Sequence, residues 1–293
     1  MRHAILAVLL VAIVGIWPAV LSGRAADSTN VDKSKYTLFN PTPREAMREF
    51  TTDRPDKTES PYTVDAGHFQ IELDLITYAH DHETARGVDV RVNAWSVVPV
   101  NFKVGLLNWM DLQTVIESYN HSTIEDSTTG QTVRQSGFGD VTSRIKANLW
   151  GNDGGPTALA VLPFVKFPTS QEHLGNNSVE GGVIFPLAVE LPAGFDLGFM
   201  TEFDYSRDVV GSGYHMEFVN SVTISHDLVG KLAGYLEFFS AVRAETDLDW
   251  VGTVDLGLTY GLTENIQLDA GVNIGVTSVA ADVNPFLGIS FRF

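Results

Sequence analysis

The sequence predicts an all-β protein: a transmembrane antiparallel β-barrel of about twelve strands with an N-terminal segment at its periplasmic mouth or docked in its pore. Three observations predict it. The chain ends Gly288-Ile289-Ser290-Phe291-Arg292-Phe293, with apolar and small or polar residues alternating up to the final carboxylate. Soluble domains fray at their termini, whereas the last strand of a closed barrel pairs with the first and turns one apolar face to lipid. From Gly67 onward, runs of about ten residues alternate between an apolar and a charged face, as a tilted membrane-crossing strand requires. Third, the chain opens on an export leader, and beyond it no apolar run is long enough for a membrane helix.

The leader comes first in the chain. Met1-Arg2-His3 is a short positive start, Ala4 to Ile16 is small or apolar, and a small-residue stretch ends at Gly23-Arg24-Ala25-Ala26. This pattern predicts a signal peptide over residues 1–25. An uncleaved anchor is the competing reading, but the run is short for a span of roughly 20 residues, and Pro18 interrupts it. There is no cysteine anywhere, which excludes a lipid-modified cysteine, disulfides, thiol catalysis and cysteine-metal sites. The formal charge is −17, and losing Arg2 and Arg24 with the leader makes it −19. Such an excess argues against nucleic acid as a partner and for acidic loops and an acidic lumen.

Residues 26–66 differ from the rest. They are polar and hold Pro41, Pro43, Pro55 and Pro61, four of the twelve prolines. Thr42-Pro43-Arg44-Glu45 reads as the start of a short helix running to Phe50, with an N-cap, a first-turn proline and an early acid. The segment is either a periplasmic tail or an insert partly filling the pore.

The strands follow at roughly 67–80, 88–105, 111–120, 137–150, 156–167, 178–190, 195–206, 214–227, 231–244, 251–261, 265–276 and 283–293. Short connections near 106–110, 151–155, 191–194, 228–230 and 262–264 alternate with longer polar ones, including 121–136. That alternation places both termini in the periplasm. Gly105 to Leu112 resembles Gly261 to Leu268, which reads as one turn solution used twice. Trp109 and Trp150 fall at inner strand ends and Trp250 at an outer one, as interfacial girdles would have them.

One stretch is distinctive. Thr52-Asp53-Arg54-Pro55-Asp56, Glu59-Ser60-Pro61-Tyr62-Thr63-Val64 and Ala66-Gly67-His68-Phe69-Gln70-Ile71-Glu72 follow one another at the start of the first strand. Gly137-Phe138-Gly139-Asp140-Val141 opens a later strand, and Leu162-Pro163-Phe164-Val165-Lys166-Phe167-Pro168-Thr169 closes another. Together they resemble a family of bacterial outer-membrane "transporter" barrels catalogued under a phenol meta-pathway, over about residues 50–293. The resemblance implies an outer-membrane barrel with a transport role. Within the motif, Asp53, Arg54, Asp56 and Glu59 have two readings: salt bridges anchoring the segment to the barrel, or a gate or solute site. Gly288, Phe291 and Phe293 match the terminal sorting signal through which such barrels engage their assembly machinery, with Phe286 departing from that pattern.

On the polar strand faces stand Glu72, Asp74, Asp89, Arg91, Arg144, Lys146, Glu180, Asp196, Glu202, Asp204, Glu217, Glu237, Asp255 and Asp269. In a barrel these line a pore that orients polar solutes and favours cations, or they form a salt-bridge network that seals it. Pro99, Pro163 and Pro186 fall within strands, where proline removes a ladder donor. They mark either bulges or a break in the wall through which an apolar solute leaves sideways. The inner-face residues Ala158, Ala160, Leu162 and Phe164 would suit such a route. His80-Asp81-His82-Glu83 has metal-ligand chemistry but sits on a loop, where solvated residues are the simpler reading. Ser221, Ser225, His215 and His226 are the nearest approach to a barrel lipase, with the two histidines at opposite ends of one strand. The expectation is therefore a cofactor-free, non-enzymatic bacterial outer-membrane channel for passive passage of small solutes, among them apolar or aromatic ones, in contact with outer-membrane lipid. The alternatives are a sealed structural or adhesive barrel and, less favoured, a barrel lipase.

Overall fold

The computed structural model describes residues 32–84, 89–171, 174–208, 211–244 and 250–293. The leader predicted at residues 1–25 lies outside them. Lys33–Phe293 form one unit, and its strands make a single antiparallel sheet closed on itself. In chain order these are β1 (Phe69–Glu83), β2 (Val90–Val97), β3 (Val100–Leu107), β4 (Met110–Ile116), β5 (Tyr119–Asp126), β6 (Gln131–Gly137), β7 (Val141–Trp150), β8 (Thr157–Phe167), β9 (Glu180–Glu190), β10 (Phe195–Arg207), β11 (Tyr214–Val229), β12 (Leu232–Arg243), β13 (Trp250–Thr263), β14 (Ile266–Gly275) and β15 (Val283–Arg292). Twelve of them close the wall in the order β1-β3-β4-β7 and then β8 through β15, with β15 returning to β1. The seam pairs Gln70 with Arg292 and Asp74 with Gly288. It ends on reciprocal bonds of 3.0 Å between the backbones of Phe69 and Phe293.

Alternation decides which side chains go where. Phe199, Phe203, Leu236, Leu256, Leu258 and Leu287 are exposed on the outer surface of the wall, where a bilayer supplies the apolar surroundings that water would deny them. Phe69, Phe102, Phe291 and Phe293 stack in a row across the periplasmic end of the seam, at 5.8–6.2 Å between ring centroids. Tyr205 and Tyr214 stack at 4.7 Å near the outer end. Trp109, Trp150 and Trp250 are all exposed at strand ends. The matching turns after Gly105 and Gly261 share one device, a register shift immediately after the glycine.

Two expectations need correction. Residues 121–136 are not a loop: β5 and β6 form a hairpin turned by Ser127–Gly130. The Asp126 carboxylate accepts from the Thr128 and Thr129 backbone amides at 2.8 and 3.1 Å, and Gly130 takes φ 71°. This hairpin pairs with β2, not with the barrel wall, and β6 is the free edge of the sheet. It carries no continuous apolar face, and its polarity on both sides imitates a loop. The second correction concerns residues 42–50, which make only one 3-10 turn, Arg44–Ala46, with Pro43 and not Thr42 at the N-cap position. Thr42 instead donates its backbone amide to Ala66 at 2.9 Å. Arg48 donates its amide to Asp65 and its guanidinium to Asn108 and Asp153, which holds the chain extended from Met47 onward.

Candidate functional site

The site is the interior of the barrel and the segment that crosses it. Residues 51–65 leave the periplasmic rim, traverse the lumen and return to β1, with a partner at almost every step. The Asp53 amide and carboxylate meet opposite ends of one cluster: the amide donates to Glu72, and the carboxylate is paired with Lys103 and, at 2.5 Å, with Lys146. Lys103 also bridges to Glu72. Arg54 spans the seam, at 2.7 Å from both Asp74 and Asp269. Lys57 reaches Asp255 at 2.9 Å, while the Lys57 and Thr58 amides donate to the Glu237 carboxylate at 2.9 and 2.8 Å. Thr58 also shares a 2.6 Å bond with Ser221. Glu59 pairs with Arg144. The Asn148 amide donates to the Pro61 carbonyl, and the Val64 amide donates to Asp111.

These contacts touch β1, β3, β4, β7 and β11 through β14, so the segment is tied around most of the circumference. Burial of this order demands pairing: Lys146, Asp111 and Asp255 are fully buried, and an unpaired charge there would cost several kcal/mol. Burial pushes the Asp53 carboxyl up, but the adjacent Lys103 and Lys146 ammonium groups overcome it and hold the group well below its usual range. Asp56 has no such cation. Burial and the neighbouring Glu237 carboxylate push it well up.

The sequence-derived residues divide into three groups. Glu72, Asp74, Arg144, Lys146, Asp255 and Asp269 touch the segment directly. Glu202, Asp204 and Glu217 stand farther out on β10 and β11, where Asp204 faces Glu217 in register and Glu217 lies 3.6 Å from Arg243. Gly182 makes room for Asp204, since a Cβ there would come within 2.4 Å of its carboxylate.

Asp89 and Arg91 do not line the lumen, and this corrects their assignment. Asp89 lies beyond the wall, half exposed and 2.9 Å from His82. Arg91 is exposed, opposite His82 and Glu125 and on the face of β2 that carries Trp95. The strand kinks at Val98, with φ 55°, and β1 has a bulge between Asp74 and Ile76. Each shifts the alternation by one residue, so parity read inward from Lys103 fails beyond the kink.

Lys103, Lys57, Asp65 and Arg48 were missed. Lys103 carried a legible signal, because it sits at the polar alternation of Asn101 and Gly105 just as Lys146 sits beside Arg144. Gly288 has a reason beyond any sorting signal: a Cβ would fall 2.1 Å from the Arg54 guanidinium. The two later motifs also meet. Asp140 accepts the backbone amides of Thr169 and Ser170 at 3.0 Å each. Among the described residues no group of three or more histidine, aspartate or glutamate side chains forms a metal cluster.

Outside the segment, toward the outer mouth, lies a cavity of about 250 Å³. Lys57 and Glu59 form its floor, and Thr142, Arg144 and Glu202 its polar wall. Phe164, Ile184 and Met200 form its apolar wall. That wall continues a buried apolar patch on the inner faces of β8 to β12, with Ala160, Leu162, Val219 and Ala241. A second, larger recess, about 460 Å³ and lined by Phe195, Ile224, Leu236, Leu256 and Leu258, includes the lipid-facing surface and none of the ion pairs.

Over residues 52–293 the sequence matches the family described as "Putative MetA-pathway of phenol degradation". The chain belongs to this family. In structure it is similar to an outer-membrane channel of Pseudomonas putida F1, with a TM-score of 0.59 at 12% identity over 83% of this chain and 100% of the other. It is also similar to the NanC porin, with a TM-score of 0.47 at 10% identity, covering 77% of this chain and 100% of the porin. A deletion mutant of TodX, a monoaromatic hydrocarbon channel, gives 0.42 at 9% identity, covering 77% and 88%. No curated protein matches the sequence. Family and fold are thus those of a bacterial outer-membrane β-barrel.

Proposed function

We propose that the protein is a passive outer-membrane channel for small, partly apolar solutes, and that residues 26–66 act as its plug, with Asp53, Arg54 and Glu59 as the latch. The observation that carries this reading is the chemistry of the contact between segment and wall. It is built from ion pairs and hydrogen bonds, which water and solute can replace, and not from close-packed apolar side chains. Passage would be diffusion down a gradient. When the segment withdraws, Asp74, Asp255, Asp269 and Glu237 lose their partners, and the opened lumen favours cations. The family's description concerns phenol degradation, and a cavity with one apolar and one polar wall suits a small aromatic.

The test is planar-bilayer conductance of the refolded full-length protein beside an Asp53→Ala/Arg54→Ala variant. Rare, brief steps in the first and frequent cation-selective steps in the second are expected. Silence from both, with folding verified by heat-modifiable gel migration, would leave a sealed structural barrel or a sideways route.

A sideways route is the second reading, and one observation favours it. The β7–β8 ladder skips Pro163 and the β8–β9 ladder skips Pro186, beside the apolar inner patch. Uptake of an apolar solute without ionic conductance would select it. A non-catalytic role is supported by the position of the lipase candidates: Ser221 is bonded to Thr58, and His226, which contacts the Ala193 carbonyl and the Phe195 ring, is on the other face of β11. The acidic charge disfavours nucleic acid, and we assign recognition by the assembly machinery to the terminal strand with Gly288, Phe291 and Phe293.

A further inference from the structure

The cavity above the segment has an unmatched group. The Glu59 side chain places Oε1 on Arg144, but its Oε2 is buried with no hydrogen-bond donor among the described residues. A buried acceptor without a donor is costly, on the order of 1–3 kcal/mol. Glu59 is also half of the cavity floor, with the Met200 sulfur 3.5 Å from its amide, and Phe164 and Ile184 complete the apolar lining. An apolar cavity of about 150 Å³ is enough to hold benzene, so 250 Å³ takes one ring with a substituent.

We propose that this cavity is a ligand site shared between the wall and the segment, taking a single-ring compound with one hydrogen-bond donor, and that its occupancy locks the segment in place. The ring lies against Phe164, Ile184 and Met200, and a turn of the Glu59 carboxylate brings its Oε2, which is shut off from the cavity as it stands, onto the donor. The site exists only while the segment is seated, because Lys57 and Glu59 leave with it. A ligand bound to one state of two stabilises that state by mass action. Occupancy therefore opposes release: a solute filling the site closes the channel behind it. This rests on the plug reading above, and the experiment separates the two.

The chain has no native cysteine, so Thr58→Cys gives a single thiol, buried between the seated segment and the wall and reachable only on release. Its labelling rate by a maleimide is measured in the full-length protein with 4-methylphenol and with 1,4-dimethylbenzene, which matches its shape but lacks the donor. At ten times its dissociation constant, 4-methylphenol is expected to slow labelling about 11-fold, and 1,4-dimethylbenzene much less. Glu59→Gln should weaken 4-methylphenol and leave 1,4-dimethylbenzene unchanged. Ile184→Phe, which fills the cavity and spares the Glu59–Arg144 pair, should abolish both effects. The proposal is overturned if saturating 4-methylphenol leaves labelling unchanged or accelerates it, if it does not bind, or if Ile184→Phe responds like the parent. Labelling that never occurs, even after Asp53→Ala, would overturn the plug reading, and with it the lock.

Discussion

At the scale of single residues, the seated segment depends on buried charges with few partners. Asp53→Ala strands Lys146 and leaves Lys103 with Glu72 alone, and removing one partner of a buried pair costs about 3–5 kcal/mol. We expect a lower urea midpoint for loss of segment protection, read by labelling of Thr58→Cys, with the barrel itself still folded. Gly288→Ala should act through Arg54, displacing its guanidinium from Asp74 and Asp269. In the Arg54→Ala background the same substitution should cost less, with only the approach to the Asp269 carboxylate at 2.6 Å left to relieve, a coupling that a double-mutant cycle would reveal.

The pH dependence has two signs. Asp53 has a depressed folded pKa, so its stabilisation is complete above its unfolded value of 3.8 and is lost as pH falls below it. Asp56 has a raised folded pKa, so its contribution is present below 3.8 and is lost as pH rises through the folded value. Seating should therefore weaken at both extremes, and labelling rates, divided at each pH by that of a free thiol because the thiolate is the reacting form, should pass through a minimum.

At the scale of elements, the strands were legible because a lipid-facing row and a water-facing row leave an alternation that composition alone cannot imitate. Phe195 to Tyr205 shows it, with Phe199 and Phe203 exposed outward and Glu202 and Asp204 inward. Phe199→Arg should cost about 2–4 kcal/mol if it lies near the bilayer midplane, measured by reversible unfolding in lipid vesicles. Legibility ended where the membrane ended. Asn120 to Gly137 forms a hairpin without an apolar face, and the kink at Val98 inverted the parity that placed Arg91. The strength of the segment's seating was also hidden. Its partners Lys103, Asp255 and Asp269 lie up to 215 positions away from it along the chain, and no local pattern announces such pairs. Deleting residues 121–136 should leave closure intact, because β5 bonds to β2 and β6 only to β5, neither to the rest of the twelve-strand wall; retained heat-modifiable gel migration would show it.

At the scale of the whole molecule, the lumen is divided by chemistry. Cations on β3 and β7 face acids on β1 and on β10 through β14, and an apolar patch occupies the inner faces of β8 to β12. Arg292 ties this arrangement to the seam, since the last strand's guanidinium bonds the Arg48 carbonyl at 3.0 Å and lies 3.5 Å from Asp65. The order of assembly follows. A tail that bridges opposite walls is difficult to thread through a ring already shut, but it can be laid across an open sheet and enclosed when the ends meet. Arg292→Ala should therefore slow the last refolding phase, measured by the rate of gel-shift recovery, more than it lowers final stability. The barrel would then be wrapped around its own beginning, and the step that makes it watertight would be the step that takes its cargo door on board.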